Sequence, residues 1–154
     1  GRPSRFDDGG FFQLHDDPTR NKAGVAGTDG EGRIRQRSYT SATADGLRGL
    51  TLCGLGAGDA EVEAAVRWLR ENIDLQDVPD LQYYAAYSVG CAGAMLPDSA
   101  AARPWRDQIA SLLIEDQRAD GSWTNEADRW YEGDPNLVTS YAMLALSYCE
   151  PEQK

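Results

Sequence analysis

The sequence predicts an all-α fold in which nearly uncharged helices alternate with amphipathic ones. Three observations carry this reading. Apolar residues recur at helical spacing in five stretches, and no stretch sustains the period-two alternation of a half-buried strand. The stretches 39–55, 82–96 and 136–149 hold few or no charges and suit burial on most sides, whereas 60–72 and 103–117 are charged along one side. Finally, Asp8-Gly9-Gly10-Phe11 and Asp120-Gly121-Ser122-Trp123 are polar turns that each lead into an aromatic ring. The expected architecture has an inner layer of uncharged helices and an outer layer of amphipathic ones.

The 154 residues read as one domain, with enough chain for a real core. Gly1-Arg2-Pro3-Ser4 reads as a processed or trimmed start, so a piece of a longer chain is expected. With 41% apolar and 26% charged residues the composition is that of a soluble protein, cytoplasmic or exported. No apolar run approaches the ~20 residues of a membrane span. Net charge is −10 and uneven: residues 1–48 hold eight basic and seven acidic side chains, residues 49–154 seven and 18. An acidic body argues against nucleic acid or an anionic membrane as partner. Cys53, Cys91 and Cys149 are odd in number and widely spaced in apolar helical contexts, which predicts free, buried thiols and no disulfide framework or metal site.

Residues 1–38 read as an opening turn around Phe11, anchored by Phe6, Phe12 and Leu14, and a long loop from His15 to Arg37. Tyr39–Leu55 reads as a helix closed by Gly54 and Gly56. Gly46 and Gly49 inside it cost about 1 kcal/mol each against Ala, which fits a close backbone approach there. Asp59 is the expected N-cap of the next helix, whose stripe is Val62, Ala65, Val66 and Leu69. A linker broken by Pro79 leads to Gln82–Leu96, apolar almost all round. Pro97-Asp98-Ser99 stops it. Trp105, Ile109, Leu112 and Leu113 mark the following amphipathic helix. Asn125–Gly133 reads as an acidic, aromatic loop, and Asp134-Pro135 as an N-cap with proline at the first helical position of the last helix.

The chain repeats itself. Thr43–Leu50 aligns without gaps on Thr139–Leu146 at an offset of 96 residues, with one uncharged helix between, so each unit spans about 48 residues, near the ~40–47 of two-helix repeats. Here the residues resemble a known family. Gln117-x-x-Asp120-Gly121-Ser122-Trp123 is similar to the QW motif of squalene/oxidosqualene cyclases and protein prenyltransferase β subunits, with Asp8-Gly9-Gly10-Phe11 as a degenerate copy and Gln76-Asp77-Val78-Pro79 where a third would sit. The resemblance covers nearly the whole chain and points to a bacterial member. It implies an α/α toroid, partial at this length, whose inner helices line a cavity. The motif residues have a structural job. Gln117 can bond helix-end backbone groups, Asp120 can cap, Gly121 permits a positive φ, and Trp123 packs between layers.

The family's chemistry does not come with its motif. The cyclase acid Asp-x-Asp-Asp-Thr finds only Leu14-His15-Asp16-Asp17-Pro18-Thr19, which lacks the first Asp and reads as a turn. Arg37, Tyr39 and Val138 stand where the prenyltransferase zinc ligands would be, and the Cys-Gly-Glu-Gln of thioester domains is missing. The one histidine, His15, has no Cys or His at metal spacing. No catalytic residue, metal or cofactor is therefore assigned. The ligand-binding candidates are the inner-helix tyrosines Tyr39, Tyr83, Tyr87 and Tyr141, joined by Tyr84, and a rim of Arg35, Arg37, Asp128, Trp130, Tyr131 and Glu132, with Lys22 and Arg33 beside it. The resulting expectation is a non-catalytic repeat domain that binds a hydrophobic or peptide ligand, or a protein. The alternatives are part of a terpenoid cyclase with its acid elsewhere, and a glycan-active enzyme using Asp128 and Glu132. Three inner helices against two outer ones would leave apolar surface, to be covered by the rest of a longer chain or a second copy.

Overall fold

The computed structural model of the protein describes residues 7–13, 20–96, 102–127 and 129–149. Phe6, the segment Leu14–Thr19 with His15, Pro97-Asp98-Ser99 and Asp128 lie outside the described residues. The chain forms two compact units, Gly1–Val78 and Pro79–Lys154. It is mostly helical, as expected, and no helix among the described residues is long and apolar enough to cross a membrane.

The first unit corrects the expectation of no strand. Within the long loop, β1 (Val25–Thr28) pairs antiparallel with β2 (Ile34–Gln36). These strands are four and three residues long, and an irregularity between Val25 and Gly27 breaks their register, so no alternation accumulates to be read. Asp29 builds the turn between them. Its carboxylate accepts from the N–H groups of Glu31 and Arg33 and pairs with the Arg33 guanidinium at 2.9 Å. The Arg33 N–H is the main cause that holds the Asp29 carboxyl below the usual carboxylate range.

Helix α1 (Thr40–Leu52) ends as its glycine predicts. Gly54 takes φ 92°, its N–H donates to Thr51 O, and Leu55 N–H reaches back to Leu50 O. Helix α2 (Ala60–Asn72) packs on α1 and buries Val62, Ala65, Trp68 and Leu69. Asp59 stands at its N-cap, but the carboxylate turns back to accept Gly56 N–H at 2.7 Å and does not cap. None of the three thiols is buried as expected: Cys91 and Cys149 are half-buried, and Cys53 is exposed because it lies at the C-cap, past the last turn that α1 can bury.

In the second unit a 3-10 turn at Pro79–Leu81 opens α3 (Gln82–Ala94). Helices α4 (Arg103–Asp116) and α5 (Pro135–Ser147) both pack on α3 and on each other. Helix α3 buries Ala85, Ala86, Ser88, Val89 and Ala92, so the all-round apolar pattern meant what it suggested. Ile109 and Leu113 of α4 are completely buried, which contributes about 2 kcal/mol each. Asp134 caps α5 through Asn136 N–H at 2.9 Å, with Pro135 in the first turn. Along α5, Val138, Ala142 and Ala145 are buried, while Met143 and Leu144 are 64% and 46% exposed.

The sequence repeat holds at the level of atoms. Asp8 accepts Gly10 N–H at 2.9 Å, and Asp120 accepts Ser122 N–H at 3.1 Å. Gly9 and Gly121 take φ 88° and 84°, which suits glycine. Phe11 N–H then donates to Thr43 Oγ1 at 2.9 Å, and Trp123 N–H to Thr139 Oγ1 at 3.2 Å. Thr43 and Thr139 are the pair that the 96-residue offset superposes. The two interior glycines of α1 differ. A Cβ at Gly46 would sit 2.5 Å from the Phe11 ring, whereas one at Gly49 meets nothing within 4 Å. Gly46→Ala is expected to destabilise by about 2 kcal/mol through overpacking, and Gly49→Ala to stabilise by up to about 1 kcal/mol. Urea unfolding of the two variants checks both signs.

Candidate functional site

Helices α1 and α3 start without caps of their own. Tyr39 and Leu81 occupy their N-cap positions, and neither side chain makes a capping bond. The first N–H groups of a helix need acceptors from somewhere. In both cases the loop ahead of a later helix delivers a carboxylate. Asp77 accepts Thr40 N–H at 2.6 Å, and Thr40 Oγ1 in turn accepts Asp74 N–H at 3.0 Å. Glu132 accepts Tyr84 N–H at 2.8 Å on Oε1, and Tyr83 N–H at 3.3 Å and the Asn125 amide at 2.9 Å on Oε2. Burial is the largest influence on both carboxyls and pushes them above the usual range, against the pull of these N–H donors.

Glu132 is completely buried. It is therefore the anchor of the loop 125–133 and not part of an acidic rim. Around it, Asn125 N–H donates to Glu132 O, the Asn125 amide reaches Pro79 O at 2.7 Å, and Thr124 Oγ1 donates to Gly133 O. Beside this anchor the loop turns outward. Tyr131 adopts φ 67°, sparsely populated for a non-glycine residue, and is 75% exposed. Trp130 is partly exposed beneath the Arg129 guanidinium, which lies 5.3 Å from its ring centroid. The anchor thus presents two aromatic side chains to solvent.

The tyrosines separate into two groups. Tyr39 and Tyr83 are buried, 3% and 2% exposed, and burial pushes both phenols up to about 12. They are core residues of their units. Tyr84, Tyr87, Tyr141 and Tyr148 are half-buried and form one cluster between α3 and α5. Tyr87 stacks on Tyr141 at 5.7 Å, and Tyr84 meets Tyr141 edge-on at 5.6 Å. Burial, with the Glu132 charge second, raises the Tyr141 phenol. Tyr148 belongs to this cluster and was not among the sequence candidates. Its spacing of seven from Tyr141, one helical stripe, is the signal that could have found it.

Next to the loop lies a cleft of about 320 Å³ lined by Gln82, Tyr83, Asp116, Thr124, Asn125 and Glu126. Its polar groups engage one another: Gln82 donates to Asp116 at 2.5 Å, and Tyr83 OH contacts Asp116 and Thr124 O at 3.4 Å. In the first unit Arg35 and Arg33 line a smaller hollow with Phe12, Ile34 and Gln36. Arg35 is paired with Asp7 at 2.9 Å and Asp29 at 3.6 Å, and Arg37 is exposed. Among the described residues no group of three or more His, Cys, Asp and Glu is placed to hold a metal ion.

The motif residues do structural work. Gln117 donates to Gly121 O at 3.1 Å, within its own turn, where a bond to neighbouring helix ends was expected. The short span of the turn brings that carbonyl within reach first. Trp123 is buried and its indole N–H donates to Leu113 O of α4 at 2.8 Å, which ties the turn to the helix before it. No family model matches this chain, and neither does any curated protein or solved structure.

Proposed function

We propose that this chain is a helical-repeat domain of the α/α-toroid type, similar to squalene-cyclase and prenyltransferase repeats, that binds a hydrophobic or peptide ligand or a protein without catalysing a reaction on it. The toroid reading is supported by the repeated turn, the shared threonine bond and the nearly uncharged helices α1, α3 and α5. The binding reading is carried by one observation, the half-exposed cluster of Tyr84, Tyr87, Tyr141 and Tyr148 on α3 and α5. Tyrosines supply large, rigid contact area with a polar tip, which suits an apolar ligand with a few polar groups. Glu132 is sealed behind α3 and is in no position to protonate a glycan, so the enzyme readings gain nothing from the site.

Calorimetric titration tests this reading with two probes, farnesol for a prenyl chain and a polyproline peptide for an extended polypeptide. One of them is expected to bind saturably, and Tyr141→Ala to weaken that binding about tenfold, the size of one lost aromatic contact. Circular dichroism confirms that the variant is folded. Saturable binding that ignores Tyr141→Ala, or no binding of either probe, would remove the proposal.

A further inference from the structure

The polar cleft of the second unit has the wall of a cation site. It holds about 320 Å³, at the lower end of the range for small-molecule sites. The donors of its wall are largely spent inside the protein. The Asn125 amide gives its N–H groups to Pro79 O and Glu132 Oε2, Thr124 Oγ1 donates to Gly133 O, and the Gln82 amide donates to Asp116 Oδ2. Acceptors remain. Among the described residues, Asp116 Oδ1 and both carboxylate oxygens of Glu126 take no hydrogen bond and form no ion pair.

A buried group points the same way. Tyr83 is only 2% exposed, and its hydroxyl stands at the cleft wall between Asp116 Oδ2 and Thr124 O. Both contacts measure 3.4 Å, beyond the range of about 2.5–3.0 Å of an ordinary O–H···O bond. A buried hydroxyl normally has a partner at bonding distance, and this one has none among the described residues. Charge adds to the case. No Lys or Arg lines the cleft among the described residues, and residues 79–154 carry 12 acidic and five basic side chains. The resulting field attracts cations and repels anions.

A sugar would need donors from the wall as well as acceptors, and few are left. A metal ion is poorly served, since no three His, Cys, Asp or Glu converge among the described residues. A primary ammonium matches what is offered: three donors, no acceptor and a compact charge. We infer that this cleft binds a primary ammonium group. One N–H goes to Asp116 Oδ1, the others to the Tyr83 hydroxyl oxygen and Thr124 O, and Glu126 adds its charge. A lysine side chain of a peptide and a free polyamine both carry this chemistry. The inference does not rest on ligand binding at the tyrosine cluster, and its failure would leave that reading untouched.

Amide-resolved NMR titration of the whole chain tests it with four probes. These are Nα-acetyl-lysine methylamide, its uncharged Nε-acetylated form, cadaverine and calcium chloride. Saturable shifts of the Tyr83, Thr124 and Asn125 amides are expected with at least one of the two ammonium probes and not with the acetylated form. Tighter binding of the lysine derivative identifies a peptide lysine as the source, and tighter binding of cadaverine a polyamine. Asp116→Asn is expected to weaken binding about tenfold, the size of one charge-assisted bond. Glu126→Gln is expected to weaken it about threefold, as suits an exposed charge. Glu126 makes no bond within the described residues, so its variant decides the matter even if Asp116→Asn loses native circular dichroism. No saturable shift with either ammonium, equal binding of the acetylated form, or unchanged affinity in Glu126→Gln overturns the inference. So do shifts with calcium chloride alone, which would assign the cleft to a metal ion.

Discussion

Glu132→Ala is expected to remove about 3 kcal/mol of stability, read as a lower urea midpoint at unchanged slope. The loss has a definite origin. The N–H groups of Tyr83 and Tyr84 would lose their acceptor behind the loop, and the Asn125 amide would keep only its bond to Pro79 O. Each orphaned buried donor costs about 1–3 kcal/mol, less whatever water can recover. Glu132→Gln keeps the shape but sets an NH2 against one of these donors, and is expected to cost about half as much. The pH dependence separates the two carboxyl forms. Burial raises the Glu132 carboxyl in the folded chain, so the folded state holds the proton more tightly than the unfolded one. Its contribution to stability is then largest below the ordinary carboxylate range, declines as pH rises toward the folded value, and is flat above it. The difference between native and Glu132→Gln stability should follow that course. A loss below about 1 kcal/mol in Glu132→Ala would show that water replaces the carboxylate and that the loop is not held by it.

Trp123→Ala is expected to cost about 3–5 kcal/mol, the range for a buried Trp replaced by Ala. Trp123 is 4% exposed, and it joins two elements at once, through its ring and through the indole bond to Leu113 O. Trp123→Phe separates the contributions: most packing stays, and the orphaned carbonyl costs about 1–2 kcal/mol. At the size of this chain, each kcal/mol lowers the melting temperature by about 2–4 °C. The structurally equivalent Phe11 is only half-buried, so Phe11→Ala should cost clearly less. Equal losses at the two positions would contradict the inequality of the two repeats.

The helices were legible because their signals are local. Periodicity placed α2 and α4, absence of charge placed α3 and α5, and Asp134-Pro135 marked where α5 begins. The hairpin was not legible, since seven strand residues with one irregularity form no pattern. Gly46 announced a close approach that exists, and Gly49 announced one that is missing among the described residues. Glu132 illustrates why the site was read only in part. Its acidity and position in an aromatic loop suggested a rim, but its partners lie 48 and 49 positions away, beyond any local rule. A hint was nevertheless present: helices that open on Tyr39 or Leu81 have no cap of their own, so an acceptor had to come from elsewhere.

That borrowing of caps has a consequence for synthesis. The N–H of Tyr84 leaves the ribosome 48 residues before Glu132. At about 5–20 residues per second, α3 waits roughly 2–10 s for the group that completes its first turn. During that interval its apolar sides are made but not yet closed by α5. A nascent chain stalled before residue 132 should therefore show α3 open to protease, and one stalled after α5 has emerged should show it protected. The moment at which α3 becomes safe from chaperones and proteases is thus set by the arrival of the loop 125–133 and of α5 directly behind it.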